Sequence, residues 1–293
     1  MAAHHRVAVV TDSTASLPEE VAAEHGIVVV PLQVVIGAEV LDEGSEGATP
    51  TRVAEALREW TPVSTSRPSP AVMLETYRDV AADGAEEVVS IHLSAEMSGT
   101  YESAQLAALE SPIPVVTVDT RQVGVATGFA ALAAARAVAE GASAAEAAEA
   151  ARACSGEAAS LFYVDTLEYL RRGGRSGATA ALLGGALAVK PLLKSQDGRV
   201  APLETVRTSG RALARLEELA VEAAEALDPE QGVDVAVAHL ANPDRAATLA
   251  THLTERLAER LDDRPVTCGE LGAVLGAHVG PGMIAVCVAP RPR

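Results

Sequence analysis

The chain has 293 residues, 48% of them hydrophobic but only 2% aromatic, with 40 Asp+Glu against 23 Lys+Arg for a net charge of −17. That apolar content, spread along the whole chain, excludes intrinsic disorder and is enough to build one large core or two smaller ones. The acidic balance excludes a binder of nucleic acid or of anionic lipid surfaces, because no basic run sets apart a face that a polyanion would accept.

The densest positive group, Arg171, Arg172 and Arg175, suits a single anionic ligand. The longest apolar stretch, residues 179–189, is broken by Gly184 and Gly185 and stops at Lys190, short of the roughly 20 residues of a bilayer span. Cys154, Cys268 and Cys287 are scattered, with no metal-ligand spacing and no disulfide framework. The first residues lack an apolar secretory segment, so a cytoplasmic location is expected.

In chain order, Val7–Val10 predicts a strand ending in Thr11-Asp12-Ser13-Thr14, then a helix with Ser16 and Glu19 spaced as a capping box. Ile27–Val35 reads as one buried strand. Helices are expected at Thr51–Trp60 and at Ala71–Ala82, the latter capped by Ser69 with Pro70 in its first turn. Strand Glu87–Leu93, helix Thr100–Leu109, strand Val115–Val118 and helices Val125–Ala139 and Ala144–Cys154 follow. From Leu161 the pattern changes. Strand Ser160–Val164 leads to a helix through Leu167 and Leu170, the turn Arg172-Gly173-Gly174-Arg175, a short helix Ala180–Leu187, and a hairpin of Val189–Leu193 and Arg199–Val206 about Asp197-Gly198. Helix Arg211–Leu227, strand Asp234–His239, helix Arg245–Leu261 and strands Pro265–Glu270 and Met283–Val288 complete the chain.

The fold expected is α/β: an N-terminal parallel, Rossmann-like α/β domain over residues 1–160 and a C-terminal α+β domain over 161–293, with the boundary in the interval 155–165.

Polar clusters mark the element ends, where α/β folds bind ligands. Thr65-Ser66-Arg67-Pro68-Ser69-Pro70 holds hydroxyls in an extended segment, though Ser69 also serves as a plain helix cap. Ser98-Gly99-Thr100 opens a helix, offering hydroxyls and free N–H groups to a carboxylate or phosphate; an ordinary N-cap has the same look. Arg172-Gly173-Gly174-Arg175-Ser176 combines backbone freedom with guanidinium groups, as would a helix end with exposed arginines. The segment 276–282 places His278 among three glycines in a tight loop, an unusual setting for a core histidine; the other histidines, His92 included, carry no signal. Asp12 and Asp119 at strand ends are more ordinary as turn caps than as metal ligands, and no metal or other cofactor is expected. Nucleophile-elbow, P-loop, dinucleotide-binding and paired-His metal motifs do not occur in the sequence.

Taken in order, Val9-Val10-Thr11-Asp12-Ser13-Thr14, Thr65-Ser66-x-Pro68, Ser98-Gly99-Thr100-Tyr101, Arg172-Gly173-Gly174-Arg175, Lys190-Pro191 and Ala277-His278-x-Gly280-x-Gly282 make the chain resemble the DegV family, the bacterial fatty-acid-binding subunits of the fatty acid kinase system. The resemblance runs from Val7 to Val288. It implies a long-chain fatty acid in a tunnel between or within two α/β domains, its carboxylate held by Thr65, Ser98, Arg175 and His278, with Ser66, Gly99, Thr100, Asp12 and Ser13 in supporting loops. It further implies a separate kinase subunit that phosphorylates the carboxylate, the acyl phosphate feeding phospholipid synthesis, so that the chain itself carries no catalysis. Arg67, where the family commonly has Gln, and Val279, where a small polar residue is usual, depart from the pattern; Arg67 adds a positive charge beside Thr65 that would act on the carboxylate or on the kinase.

The physics of such a ligand is simple. About 14 buried methylenes at ~0.8 kcal/mol each give on the order of 11 kcal/mol before ordering costs, while the charged end needs hydrogen bonds wherever it is buried. Two other readings stand beside the carrier: a lone acyl hydrolase or transferase with Ser98 as nucleophile and His278 as base, though without an obvious third triad member, and a lipid-sensing regulator using the same pocket.

Overall fold

In the computed structural model, which describes residues 6–175 and 189–291, alternating short strands and helices sort into two compact units. One comprises residues up to 33 together with 66–156, the other residues 34–65 and 157–291. The break at 156/157 falls within the expected interval 155–165, and two further breaks, at 33/34 and 65/66, divide the chain as well. Segment 34–65, which carries Thr65, belongs with the C-terminal half, because its helix Pro50–Arg58 packs on the helix Ala273–Val279. The expected helix Ala180–Leu187, Ser176 and the first five residues lie outside the described residues.

The first unit is built on a parallel sheet in the order Ile27–Val30, Val7–Asp12, Glu87–His92, Val115–Asp119. Strand side chains alternate between faces. Val9, Val89 and Ile91 pack on the Ala-rich helices Val125–Ala139 and Ala144–Glu157. Val10 and Val88 pack on Pro70–Ala82 and Thr100–Ala108. The parallel α/β expectation holds, and alanine takes the place of bulky residues where helix meets sheet.

Two local expectations change. Ser16 does not cap a helix: its φ of 53° closes a short 3-10 turn, Ser13–Ala15, which Asp12 caps by accepting from the Thr14 N–H. The helix Glu19–Glu24 starts only after Pro18. Ile27–Val35 is two strands, Ile27–Val30 and Gln33–Ile36, since Pro31 removes a ladder donor between them.

In the second unit a six-stranded sheet runs Arg199–Val206, Lys190–Gln196, Ala159–Tyr163, Ile284–Pro290, Val233–His239, Thr267–Glu270. It is antiparallel throughout except for its last pair. Asp197 and Gly198 at φ 53° and 78° make the expected two-residue hairpin turn. Leu161, Tyr163, Leu192, Val235 and Val286 meet Leu216, Leu249 and Leu253 of the helices Ser209–Ala226 and Pro243–Arg256. The latter stops at Leu257 before a short helix Ala258–Leu261, where a single helix was expected. A three-stranded sheet, Glu39–Asp42, Gln33–Ile36, Val63–Ser66, completes this unit; the strand Glu39–Asp42, mostly exposed, left no apolar signature in the sequence.

Candidate functional site

Thr65 lies on the strand Val63–Ser66, where Val63 and Thr65 are half-buried and Ser64 and Ser66 exposed. Alternation thus turns the Thr65 hydroxyl inward with Val63. His278 occupies the last turn of the helix Ala273–Val279 rather than the loop expected from its glycine neighbours. Glycine lowers helix propensity, but Gly276 is buried against Leu240, and Gly280, at φ 77°, ends the helix with its N–H on the Gly276 carbonyl. At the other end of this helix the Glu43 carboxylate accepts from the Val274 N–H at 2.8 Å.

His278 Nε2 lies 2.8 Å from Thr65 Oγ1, across 213 positions of sequence. Its Nδ1 is buried with no hydrogen-bond partner among the described residues, and that edge of the ring packs against Gly173, where a Cβ would stand 2.2 Å from Nδ1. Gly173 has φ −72°, so close approach requires this glycine, not backbone freedom. Arg175 donates from Nη1 to the Gly173 carbonyl. Burial first, and the Arg175 charge second, push the His278 pKa down to about 4. The imidazole is therefore neutral at pH 7. With Nδ1 unpartnered, the tautomer protonated at Nε2 avoids burying an N–H without an acceptor. Nε2–H then donates to Thr65, whose own hydroxyl proton is free to donate onward.

These residues line a cavity of about 520 Å³, within the usual range for small-molecule sites. Val35, Leu57, Pro62 and Val63 form apolar wall; Thr65, His278, Arg172 and Arg175 form the polar end; Trp60 and Tyr169 add aromatic surface. Trp60, the single tryptophan, stacks under the Arg172 guanidinium at 4.4 Å, a favourable cation–π contact. Arg172 also donates to Glu168, which Arg171 grips as well, and hydrogen bonds from the two arginines hold the Glu168 carboxyl down at about 2. Arg172 stands out in the sequence within the Arg171, Arg172 and Arg175 group, whereas Tyr169 leaves no sequence signal as a cavity residue and Trp60 only its rarity.

Of the expected head-group residues, Thr65, Arg175 and His278 come together in this unit, while Ser98 belongs to the other. Half-buried Ser98 sits before the helix Thr100–Ala108, its Oγ 2.9 Å from Thr100 Oγ1 and accepting from the Thr100 N–H. Gly99 is covered by the Arg67 guanidinium, a Cβ there standing 1.6 Å from Nη1. Arg67 pairs with Glu102 at 3.0 Å, so the extra charge expected of it is engaged within its own unit. Ser66 is exposed and donates to the Arg67 carbonyl, and Ser13 accepts from the Leu32 N–H.

Asp12 is fully buried. It accepts from the Thr14 N–H and hydroxyl, the Leu93 N–H and His92 Nδ1. His92 Nε2 meets Ser90, which accepts from Tyr77, itself pushed up to about 12 by burial. This buried relay, whose histidine carries no sequence signal, holds the end of the strand Glu87–His92 that leads to Ser94 and Ser98. Among the described residues no group of His, Cys, Asp and Glu is arranged to hold a metal, and no helix is long and apolar enough to cross a membrane.

Fold and cavity together define an α/β protein with a candidate site in which hydroxyl, imidazole and guanidinium groups lie beside apolar side chains. The chain matches the family described as "Uncharacterised protein, DegV family" over residues 6–291, and it belongs to the DegV family. It is 51% identical over 285 residues to the DegV domain-containing protein SCO2569 of Streptomyces coelicolor, covering 97% of this chain and 99% of that one. A DegV-family protein from Thermus thermophilus, whose structure is described as fatty-acid binding, superposes with a TM-score of 0.86 at 33% identity, covering 98% of this chain and 100% of the other. DegV of Bacillus subtilis, described as a fatty acid binding protein, gives a TM-score of 0.88 at 31% identity, with the same coverage.

Proposed function

We propose that the protein binds a long-chain fatty acid with its carboxylate at Thr65, Arg175 and His278, and presents that carboxylate to a partner kinase for phosphorylation to an acyl phosphate that feeds phospholipid synthesis, without catalysis of its own. The fatty-acid binding described for the Thermus thermophilus and Bacillus subtilis relatives supports the ligand class. One observation carries the site: a neutral imidazole 2.8 Å from a threonine hydroxyl, beside a guanidinium, at the polar end of a cavity with apolar wall. A carboxylate there accepts from the hydroxyl and from Arg175, the charge-assisted pairing that guanidinium favours. Ser98 stays in the proposed set on the family resemblance, as a half-buried hydroxyl at a helix start. The kinase partner and a cytoplasmic setting rest on that resemblance too.

The hydrolase reading is weaker. It needs a third residue to orient His278 as a base, and the His278 Nε2 is already engaged by Thr65 while its Nδ1 has no hydrogen-bond partner among the described residues. Mass spectrometry of heterologously produced, denatured protein is expected to release a long-chain fatty acid. Phosphorylation of that acid is expected only when a fatty acid kinase and ATP are added. Empty protein that also fails to bind palmitate on reconstitution overturns the proposal; acyl-ester hydrolysis by the chain alone restores the enzyme reading.

A further inference from the structure

The segment that carries Arg175 interlocks with the segment that carries His278 through three glycines. At Gly173 a Cβ would stand 2.2 Å from His278 Nδ1; at Gly280, 2.0 Å from the Tyr169 ring; at Gly282, 2.1 Å from the Asp165 carboxylate. Asp165 precedes the helix Glu168–Arg172, Tyr169 lies in its first turn and Gly173 caps its end, and 282, 280 and 278 answer these three in reverse order. The far end of this rail is tied to the six-stranded sheet. Lys190, the first residue of its strand, donates from Nζ to Asp165 Oδ1 at 3.0 Å and to the Asp165 carbonyl at 3.2 Å. Tyr163, on the neighbouring strand, donates to the same Oδ1 and lies 3.0 Å from Ser209 Oγ.

We infer that Lys190 and Asp165 are positioning residues for the ligand site: the ammonium pins Asp165 against Gly282, and the rail from Asp165 to Gly173 sets the imidazole against Thr65 and places Arg175 beside it. Neither residue lines the cavity, so each acts through the others. The inference rests on the proposed head-group site. Without the Lys190 charge, the exposed Asp165 carboxylate loses its cation and is free to swing away from Gly282 into solvent, and the glycine contacts that depend on its position slacken. Water then reaches the His278 ring, which is held neutral by its burial.

The test uses the full chain with Lys190→Met, which keeps the stem and removes the charge, and Lys190→Arg. Lys190→Met is expected to weaken palmitate binding about tenfold and to raise the His278 pKa, read by NMR on ligand-free protein, by about one pH unit from its low value; tenfold and one pH unit are the same free energy. Lys190→Arg is expected to restore both. A Lys190→Met protein with lowered Tm but unchanged His278 titration and unchanged affinity overturns the inference. Should that variant not fold, Asp165→Asn reads the same two quantities with the same expected shifts, and no shift in either is equally fatal. Because the titration needs no ligand, a wild type that fails to bind palmitate sinks the fatty-acid reading alone.

Discussion

At the scale of single residues, the site is a matter of protons. Burial and Arg175 lower the His278 pKa from 6.5 to about 4, so folding favours the neutral ring. The stability this contributes is complete above pH 6.5 and is lost as the pH falls through about 4, at most roughly 3 kcal/mol. His278→Asn should therefore flatten the loss of unfolding free energy between pH 6.5 and 4, measured by denaturant titration against wild type; parallel curves for the two proteins would contradict the assignment. Thr65 has the complementary part in the proposed carboxylate site, where its hydroxyl would pass the imidazole's hydrogen bond on to the ligand. Thr65→Ala should weaken palmitate binding by about 1–3 kcal/mol in calorimetry with little change in Tm. These residues could be picked from the sequence as hydroxyl, guanidinium and imidazole near glycines. Their protonation could not, because it depends on Gly173 letting the Nδ1 edge of the ring close against backbone.

Elements are decided by backbone rules where those act alone, and by packing elsewhere. Ser69 caps the helix Pro70–Ala82 through the Val72 N–H, and Asp197-Gly198 turns its hairpin, both as their local chemistry requires. The glycines of the His278 helix argue against a helix in sequence, and contacts with the helices Pro50–Arg58 and Glu168–Arg172 and the Glu43 carboxylate at its first turn hold it. The helix Val125–Ala139 gives a sharper contest. Gly128→Ala in a helix interior gains about 1 kcal/mol of propensity. A Cβ at Gly128, however, would stand 2.5 Å from the Ala15 carbonyl oxygen, a backbone atom that cannot rotate away, and overpacking costs about 1–3 kcal/mol. Packing should win: chemical denaturation is expected to show Gly128→Ala less stable than wild type, and a gain would mean the helix can shift off the Ser13–Ala15 turn freely.

For the whole molecule, the consequence of the division into units is that segment 34–65 and residues 157–291 share one compact unit and one cavity. Ligand that binds only the folded state stabilises by mass action, about 2.7 kcal/mol at a hundredfold excess over Kd. Palmitate should therefore slow hydrogen exchange in both 34–65 and 157–291, and Arg175→Ala should reduce the effect in both. Protection gained in only one of these stretches would contradict a site shared between them. By itself the sequence determined the α/β class, the hairpin, most helices and the residue types of the site, since periodicity, caps and turn residues act over a few neighbouring positions. Only the tertiary structure decided that Thr65 joins the C-terminal half, that His278 ends a buried helix with a neutral ring, and that Arg67 is paired with Glu102. Those outcomes depend on contacts between residues far apart in the chain, and on side chains filling the space that a missing Cβ leaves, which no local pattern encodes.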